Sequence, residues 1–222
     1  MTDKAASESL RHVTLAVLAG GEGRRMGGPK GDLSLDGRPI LRRLHERLAW
    51  PGPTLLVTAP GREKPPGADG FDAEAVDPVA GEGPLRGVLT AVENATTELV
   101  VVVPVDMPEV SRRMLAWLAA RLEARPGAAA VMIKRRGGDD GDAGRLEPLP
   151  AAFRAGPAAA VIRRQLRDGR LALHALAPLP EVVTECCPAD CDDRFWINLN
   201  VPADLAAWRR AAGNRTTPGE VR

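Results

Sequence analysis

The segment Gly20–Lys30, GGEGRRMGGPK, packs five glycines, two arginines and a lysine into eleven residues. Backbone without Cβ atoms can approach a ligand closely, and successive N–H groups can form an anion-binding nest. Arg24, Arg25 and Lys30 add fixed positive charge where phosphates would sit. The loop follows an apolar run, Val13–Leu18, whose β-branched residues suit a buried strand. A strand opening into such a loop places a phosphate cradle at the carboxyl edge of an α/β sheet. Asp106 is the second chemically loaded residue, just past the apolar run Leu99–Val103 and between Pro104 and Pro108. A carboxylate held there is a hard oxygen ligand suited to Mg²⁺, which binds through one or two carboxylates plus substrate phosphates. The structural alternative is a capped strand end, with the carboxylate satisfying nearby backbone N–H groups.

Two better-known glycine loops are excluded. A Walker A motif needs Gly-Lys-Ser/Thr, whereas Pro29 separates Gly28 from Lys30 and Gly31 follows. The dinucleotide fingerprint needs a third glycine where Met26 stands. No Ser-His-Asp arrangement is evident, and His12, His45 and His174 are scattered along the chain. Cys186, Cys187 and Cys191 form CCPADC, an odd number at a spacing that fits no common zinc pattern, so they read as reduced thiols.

The elements that must position these residues follow from periodicity. Ile40, Leu41, Leu44 and Leu48 share one face of a helix over about 39–49, entered through the turn Asp36-Gly37. Thr54–Thr58 reads as the second strand, followed by a surface loop from Pro60 to Gly70, and a short strand at Glu74–Val76 delivers Asp77. Pro84 opens another helix. Leu99–Val103 has the continuous apolarity of a central parallel strand. Ser111 caps a helix carrying Met114, Leu115, Leu118 and Leu122, and Ala128–Ile133 is a further strand. A helix over 157–167, a weak strand at Val182-Val183, a strand from Phe195 to Leu199 and a last helix over 203–212 complete the series. Lys134–Arg145 is glycine-rich and mixed in charge, a solvated loop or a flap over an anionic acceptor. Strands alternating with helices imply an α/β fold with a mostly parallel sheet. The expected organisation is one domain over residues 12–212, with disordered tails at 1–11 and 213–222.

Composition narrows the function classes. Thirty basic against 29 acidic residues leave a net charge of +1, with no tyrosine and only seven Phe or Trp, so nothing points to nucleic acid. No targeting signal is evident, and no apolar run approaches the ~18 residues of a membrane span. A cytoplasmic protein is expected.

LAGGEGRRMGG with its following Pro-Lys, the Pro-x-Asp-Met-Pro around Asp106 and the closing FWINLNVPADL together resemble the molybdenum cofactor guanylyltransferase family, from Val13 to Trp208. The resemblance implies a Rossmann-like three-layer α/β/α nucleotidyltransferase fold. It also implies transfer of GMP from GTP to the terminal phosphate of molybdopterin, with Mg²⁺ and release of pyrophosphate. Carried over residue by residue, Leu18, Ala19, Gly20 and Gly21 contact GTP, and Arg24 and Lys30 lie on its phosphates. Thr58 stands where the family usually has asparagine, and Asp77 matches an acidic residue near the nucleotide. Asp106 matches the metal ligand and also meets the nucleotide, so Arg24, Lys30 and Asp106 form the catalytic set. Asn198 and Asn200 match an Asn-x-Asn that positions metal and acceptor, with capping of the following helix as the structural alternative. Partners implied are GTP, molybdopterin and transient contacts with other molybdenum-cofactor proteins. The family usually has Asp-Lys-Gly where this chain has Pro29-Lys30-Gly31. Competing readings are a cytidylyltransferase of the same cofactor or of another small phosphorylated acceptor, and a catalytically silent nucleotide-binding partner protein. Ala19-Gly20-Gly21 and Asp106-Met107-Pro108 favour the guanylyl reading over the Ala-Ala-Gly and Asp-Gln-Pro of the cytidylyl relatives.

Overall fold

The computed structural model describes residues 8–21, 23, 28–79, 81–136 and 144–213; the outer parts of both expected tails and most of the expected flap lie outside them. Seven strands form one sheet: β1 (Val13–Leu18), β4 (Thr54–Thr58), β5 (Ala73–Val76), β6 (Leu99–Pro104), β7 (Ala130–Arg135), β8 (Arg145–Arg154) and β9 (Val182–Cys186), in the order β5-β4-β1-β6-β8-β7-β9. The pairings are parallel except at β8, which runs antiparallel to both neighbours. The short strands β2 (Ser34–Leu35) and β3 (Arg38–Pro39) form a separate hairpin around Asp36-Gly37.

Alternation along the central strands decides which helix covers which face. Leu15, Val17, Val101 and Val103 pack with α1 (Ile40–Leu48), α3 (Arg112–Glu123) and Trp208 of α5 (Pro202–Gly213). Their sequence neighbours Ala16, Val100 and Val102 point the other way, toward α2 (Gly83–Asn94) and α4 (Ala155–Arg167). The result is the expected three-layer α/β/α fold, with its mostly parallel sheet buried on both faces. Ser111 caps α3 as expected, its Oγ accepting from the Met114 N–H at 3.4 Å.

Three expectations are corrected. Leu10, assigned to the tail, is buried in the core. The ten-residue β8 is absent from the sequence reading because Pro148 and Pro150 interrupt it, and proline is normally kept out of central strands. The structure accommodates both where the β7–β8 register shifts between Val131 and Ile133, and β6 pairing begins only at Ala151, so no ladder bond is asked of either proline. Phe195–Leu199 is not a strand: Asp193–Trp196 forms a 3₁₀ turn capped by Asp192, which accepts from the Arg194 N–H at 2.9 Å. Both sides of β6 are already taken by β1 and β8. The Leu199 N–H bonds instead to the carbonyl of Asp106 at 2.9 Å. Among the described residues no helix is long and apolar enough to cross a membrane.

Candidate active site

The carboxyl ends of β5, β4, β1 and β6 bring most of the singled-out residues to one edge of the sheet. Leu18 ends β1, and its carbonyl accepts from the Val105 N–H at 3.0 Å, tying the glycine loop to the segment carrying Asp106. The Ala19 N–H is spent on the carbonyl of Val57 at 2.8 Å, so any backbone donors offered to a ligand begin no earlier than Gly20. Gly20 passes close to the loop after β4: a Cβ there would lie 3.3 Å from the Ala59 nitrogen, so a side chain would ask that backbone to give by a few tenths of an ångström. Gly23 has φ +56, and a Cβ would fall 1.9 Å from the carbonyl oxygen of Gly28, so the loop closes on its own backbone. Arg24 lies outside the described residues.

Pro29 and a 3₁₀ turn over Lys30–Asp32 carry Lys30 back across the loop. The Lys30 N–H donates to the Gly21 carbonyl at 3.3 Å, and the aliphatic stem runs beside Gly21. The Lys30 ammonium then meets two acceptors from distant parts of the chain. It pairs with Oδ2 of Asp106 and donates to Oδ1 of Asn200 at 2.7 Å. Asp106 is 7% exposed, and its other oxygen, Oδ1, is shielded from solvent with no hydrogen-bond partner among the described residues. Asn200 does not cap α5. Asp204 does, its Oδ2 accepting from the N–H groups of Asn200 at 2.8 Å and Val201 at 2.9 Å, while Pro202 occupies the first helical turn. Asn198 is exposed.

The orphaned Asp106 oxygen is what a divalent cation would satisfy. Among the described residues there is no cluster of three His, Cys, Asp or Glu. A lone buried carboxylate therefore suits Mg²⁺ shared with substrate phosphates and does not suit a metal held wholly by protein.

A second group forms around Thr58 and Asp77. The Asp77 N–H donates to the Thr58 carbonyl at 2.9 Å, while the Thr58 hydroxyl is taken by Glu74 at 3.1 Å. Gly87 of α2 faces this corner, where a Cβ would make ordinary contact at 3.6 Å with both Asp77 Oδ2 and the Leu18 side chain. The ends of β5 and β6 are three strand spacings apart, about 14 Å, so Asp77 and Asp106 serve different ends of any ligand. Burial pushes the Asp77 carboxyl above its ordinary value of 3.8, opposed by the Thr90 hydroxyl and Arg86 and reinforced by Glu82. Because the folded value exceeds the unfolded one, stability falls as pH rises through the window above 3.8. Asp77→Asn should therefore raise the melting temperature more at pH 7 than at pH 4. An equal shift at both, read by thermal denaturation, would show that ionisation of Asp77 carries no such cost.

Beside Thr58, against the loop after β4, opens a cleft of about 420 Å³ lined by Ala19, Gly31, Thr58, Ala59, Arg62 and Lys64, among others; Lys30, Asp77, Asp106 and Asn200 are not part of its lining. Arg62 is the residue that sequence reasoning passed over, because its loop read only as surface. Its guanidinium donates to the Gly21 carbonyl at 3.3 Å, folding the loop after β4 against the glycine loop. The available signal was a basic residue following a strand that ends at the ligand edge.

Residues 15–186 match the model of the MobA-like NTP transferase domain. The molybdenum cofactor guanylyltransferase of Cereibacter sphaeroides is 33% identical over 201 residues, 86% of this chain and 92% of that protein. That of Albidiferax ferrireducens is 32% identical over 87% of this chain and 93% of its own length. The match to the Shewanella halifaxensis enzyme is shorter, 32% over 54% of this chain and 60% of that protein. Among solved structures, the molybdopterin-guanine dinucleotide biosynthesis protein A of Archaeoglobus fulgidus has the same fold, with TM-score 0.72, 24% identity and coverage of 90% and 99% of the two chains. Thermus thermophilus 2-C-methyl-D-erythritol 4-phosphate cytidylyltransferase superposes with TM-score 0.64 at 24% identity, over 91% of this chain and 99% of that one. The match spans the sheet edge that gathers Leu18, Thr58, Asp77 and Asp106, and the chain belongs to the MobA-like NTP transferase family.

Proposed function

We propose that the chain transfers GMP from GTP to the terminal phosphate of molybdopterin, releasing pyrophosphate. The observation that carries this reading is the convergence of Lys30, Asp106 and Asn200 beside the glycine loop that leaves the end of β1. A phosphate oxygen of the acceptor bonds to the α-phosphorus of GTP as the bond from that phosphorus to the pyrophosphate oxygen breaks. The attacker is already an anion, so no strong general base is required. The obstacle is bringing two polyanions together and stabilising charge on the leaving group.

The residues divide that task by position. The Gly20 and Gly21 backbone, closed over by Arg62, faces the phosphates, and the cleft lined by Thr58 and Ala59 takes the nucleoside. Lys30 sets fixed positive charge beside the reacting phosphates, and Asn200 orients its ammonium. Because Asp106 already neutralises Lys30, that pair brings no net positive charge with which to meet a triphosphate. We assign Mg²⁺ to Asp106, where it would neutralise the phosphates and hold them in line. Arg24 is proposed to join these contacts on the phosphates, and Asn198 to lie toward the acceptor. The three described cysteines are free thiols, which fits a cytoplasmic setting. Other molybdenum-cofactor proteins are the partners that such a handover implies.

Differential melting with GTP, CTP, ATP or UTP, each with Mg²⁺, tests base choice. At ligand 100 times its dissociation constant the apparent stabilisation is about 2.7 kcal/mol, so GTP alone should raise the midpoint by several degrees. A larger shift with CTP would transfer the assignment to the cytidylyl reading. GTP binding without pyrophosphate release on any acceptor would leave a binding protein.

A further inference from the structure

We infer that Glu109 is a positioning residue: from beneath the site it fixes Asp106 and Asn200 relative to each other, and so aims the Lys30 ammonium they share. Glu109 lies three residues past Asp106 and is only 2% exposed. Its carboxylate ties its own segment to two helices. Trp208 of α5 donates its indole N–H to Oε1 at 2.9 Å, Arg47 of α1 stands 3.1 Å from Oε2, and Arg43 of α1 stands 3.7 Å from Oε1. The Arg43 guanidinium also lies over the Trp208 ring, 4.8 Å from its centroid. Arg47 additionally holds the backbone, donating to the carbonyls of Glu109 at 3.2 Å and Val110 at 3.0 Å.

Each connection leads back to the catalytic edge. The segment from Pro104 to Val110 presents Asp106 at one end and is anchored through Glu109 at the other. Helix α5 presents Asn200 just before its first turn, where Asp204 holds it, and docks through Trp208 onto the same carboxylate. The Leu199 N–H to Asp106 carbonyl bond joins the two arms directly. One buried carboxylate thus sets the spacing of both acceptors of Lys30.

A stability role alone is a poor account of this cluster. A buried ion pair loses solvation that its Coulomb attraction barely recovers, and apolar residues of similar volume often serve as well or better. What such a cluster supplies beyond burial is direction, because a hydrogen bond from an indole and ion pairs with two guanidiniums constrain the carboxylate in ways that packing leaves free.

Lysine reactivity tests the clamp without substrate. The chain has four lysines, Lys4, Lys30, Lys64 and Lys134. The Lys30 side chain is 18% exposed and Lys64 is 59% exposed, so Lys64 serves as an internal standard. Trp208→Phe keeps an aromatic ring in the core and removes the N–H donor. Trace acetylation with acetic anhydride, read by peptide mass spectrometry, should then show Lys30 gaining reactivity relative to Lys64 by about tenfold, the worth of one lost hydrogen bond. Glu109→Met should do the same, whereas Glu109→Gln, which keeps an acceptor for the indole, should fall between it and the native chain. In turnover, which rests on the proposed guanylyl transfer, Trp208→Phe should lower kcat and leave KM for GTP within about twofold, because the glycine loop is untouched. In an Asn200→Ala background it should lower kcat no further. Unchanged Lys30 reactivity in a folded Trp208→Phe protein would overturn the inference, whether or not Glu109→Met folds. If the native chain releases no pyrophosphate from any nucleotide, the acetylation result still decides the clamp, and only the functional reading fails.

Discussion

Asp106→Asn should abolish turnover while leaving the fold intact, with pyrophosphate release falling about 10²–10³-fold or more. The substitution keeps the volume, and the polar atom facing Lys30 can still accept a hydrogen bond. It removes the negative charge that pairs with the ammonium and the shielded oxygen that no donor among the described residues satisfies. In a purely structural role that oxygen would be paired, because a buried unsatisfied acceptor costs about 1–3 kcal/mol. The neutral amide should therefore melt at or above the native temperature and still fail to turn over. Pyrophosphate release and thermal melting on the same preparation separate the outcomes. A variant that retains its rate removes Asp106 from the mechanism, and one that melts much lower makes its role structural.

How far the sequence disclosed this arrangement depends on which forces placed each part. The central strands were legible because burial on both faces writes itself as unbroken apolar runs, as in Leu99–Val103. Helices α1 to α4 were legible because one face of each is apolar at helical spacing. β8 was not, since local preference places proline outside strands, whereas the register shift that makes Pro148 and Pro150 harmless exists only once β7 is paired. Phe195–Leu199 misled for the converse reason: its composition suits a strand, but no ladder position remains beside Asp106. At the site, Lys30 and Asp106 were legible by residue type and by their place just after strands. Their direct pairing was not, nor was the use of Asn200 as the second acceptor of Lys30. Contacts across 76 and 170 positions leave no periodic trace. Glu109 was passed over altogether, since a glutamate after a proline reads as surface until two helices close over it.

The expected behaviour of Lys30→Ala follows from its double engagement. If the ammonium only neutralised Asp106, the substitution would free the carboxylate and activity would survive. The proposed role on the phosphates predicts a loss of about 10²–10³ in kcat/KM instead, the typical effect of one transition-state contact. The same substitution removes a positive charge bound to the very carboxylate assigned to Mg²⁺, and a like charge at short range opposes cation binding. The Mg²⁺ concentration for half-maximal rate should thus fall even as the maximal rate falls. Titrating Mg²⁺ against pyrophosphate release in both proteins reads the two effects separately. Recovery of the native rate at high Mg²⁺ would reduce Lys30 to a counter-ion for Asp106. An increased Mg²⁺ requirement would place the metal somewhere other than Asp106. A lower requirement joined to a lower ceiling is the combination expected when carboxylate and ammonium, paired in the described site, are drawn to opposite partners by the arriving triphosphate.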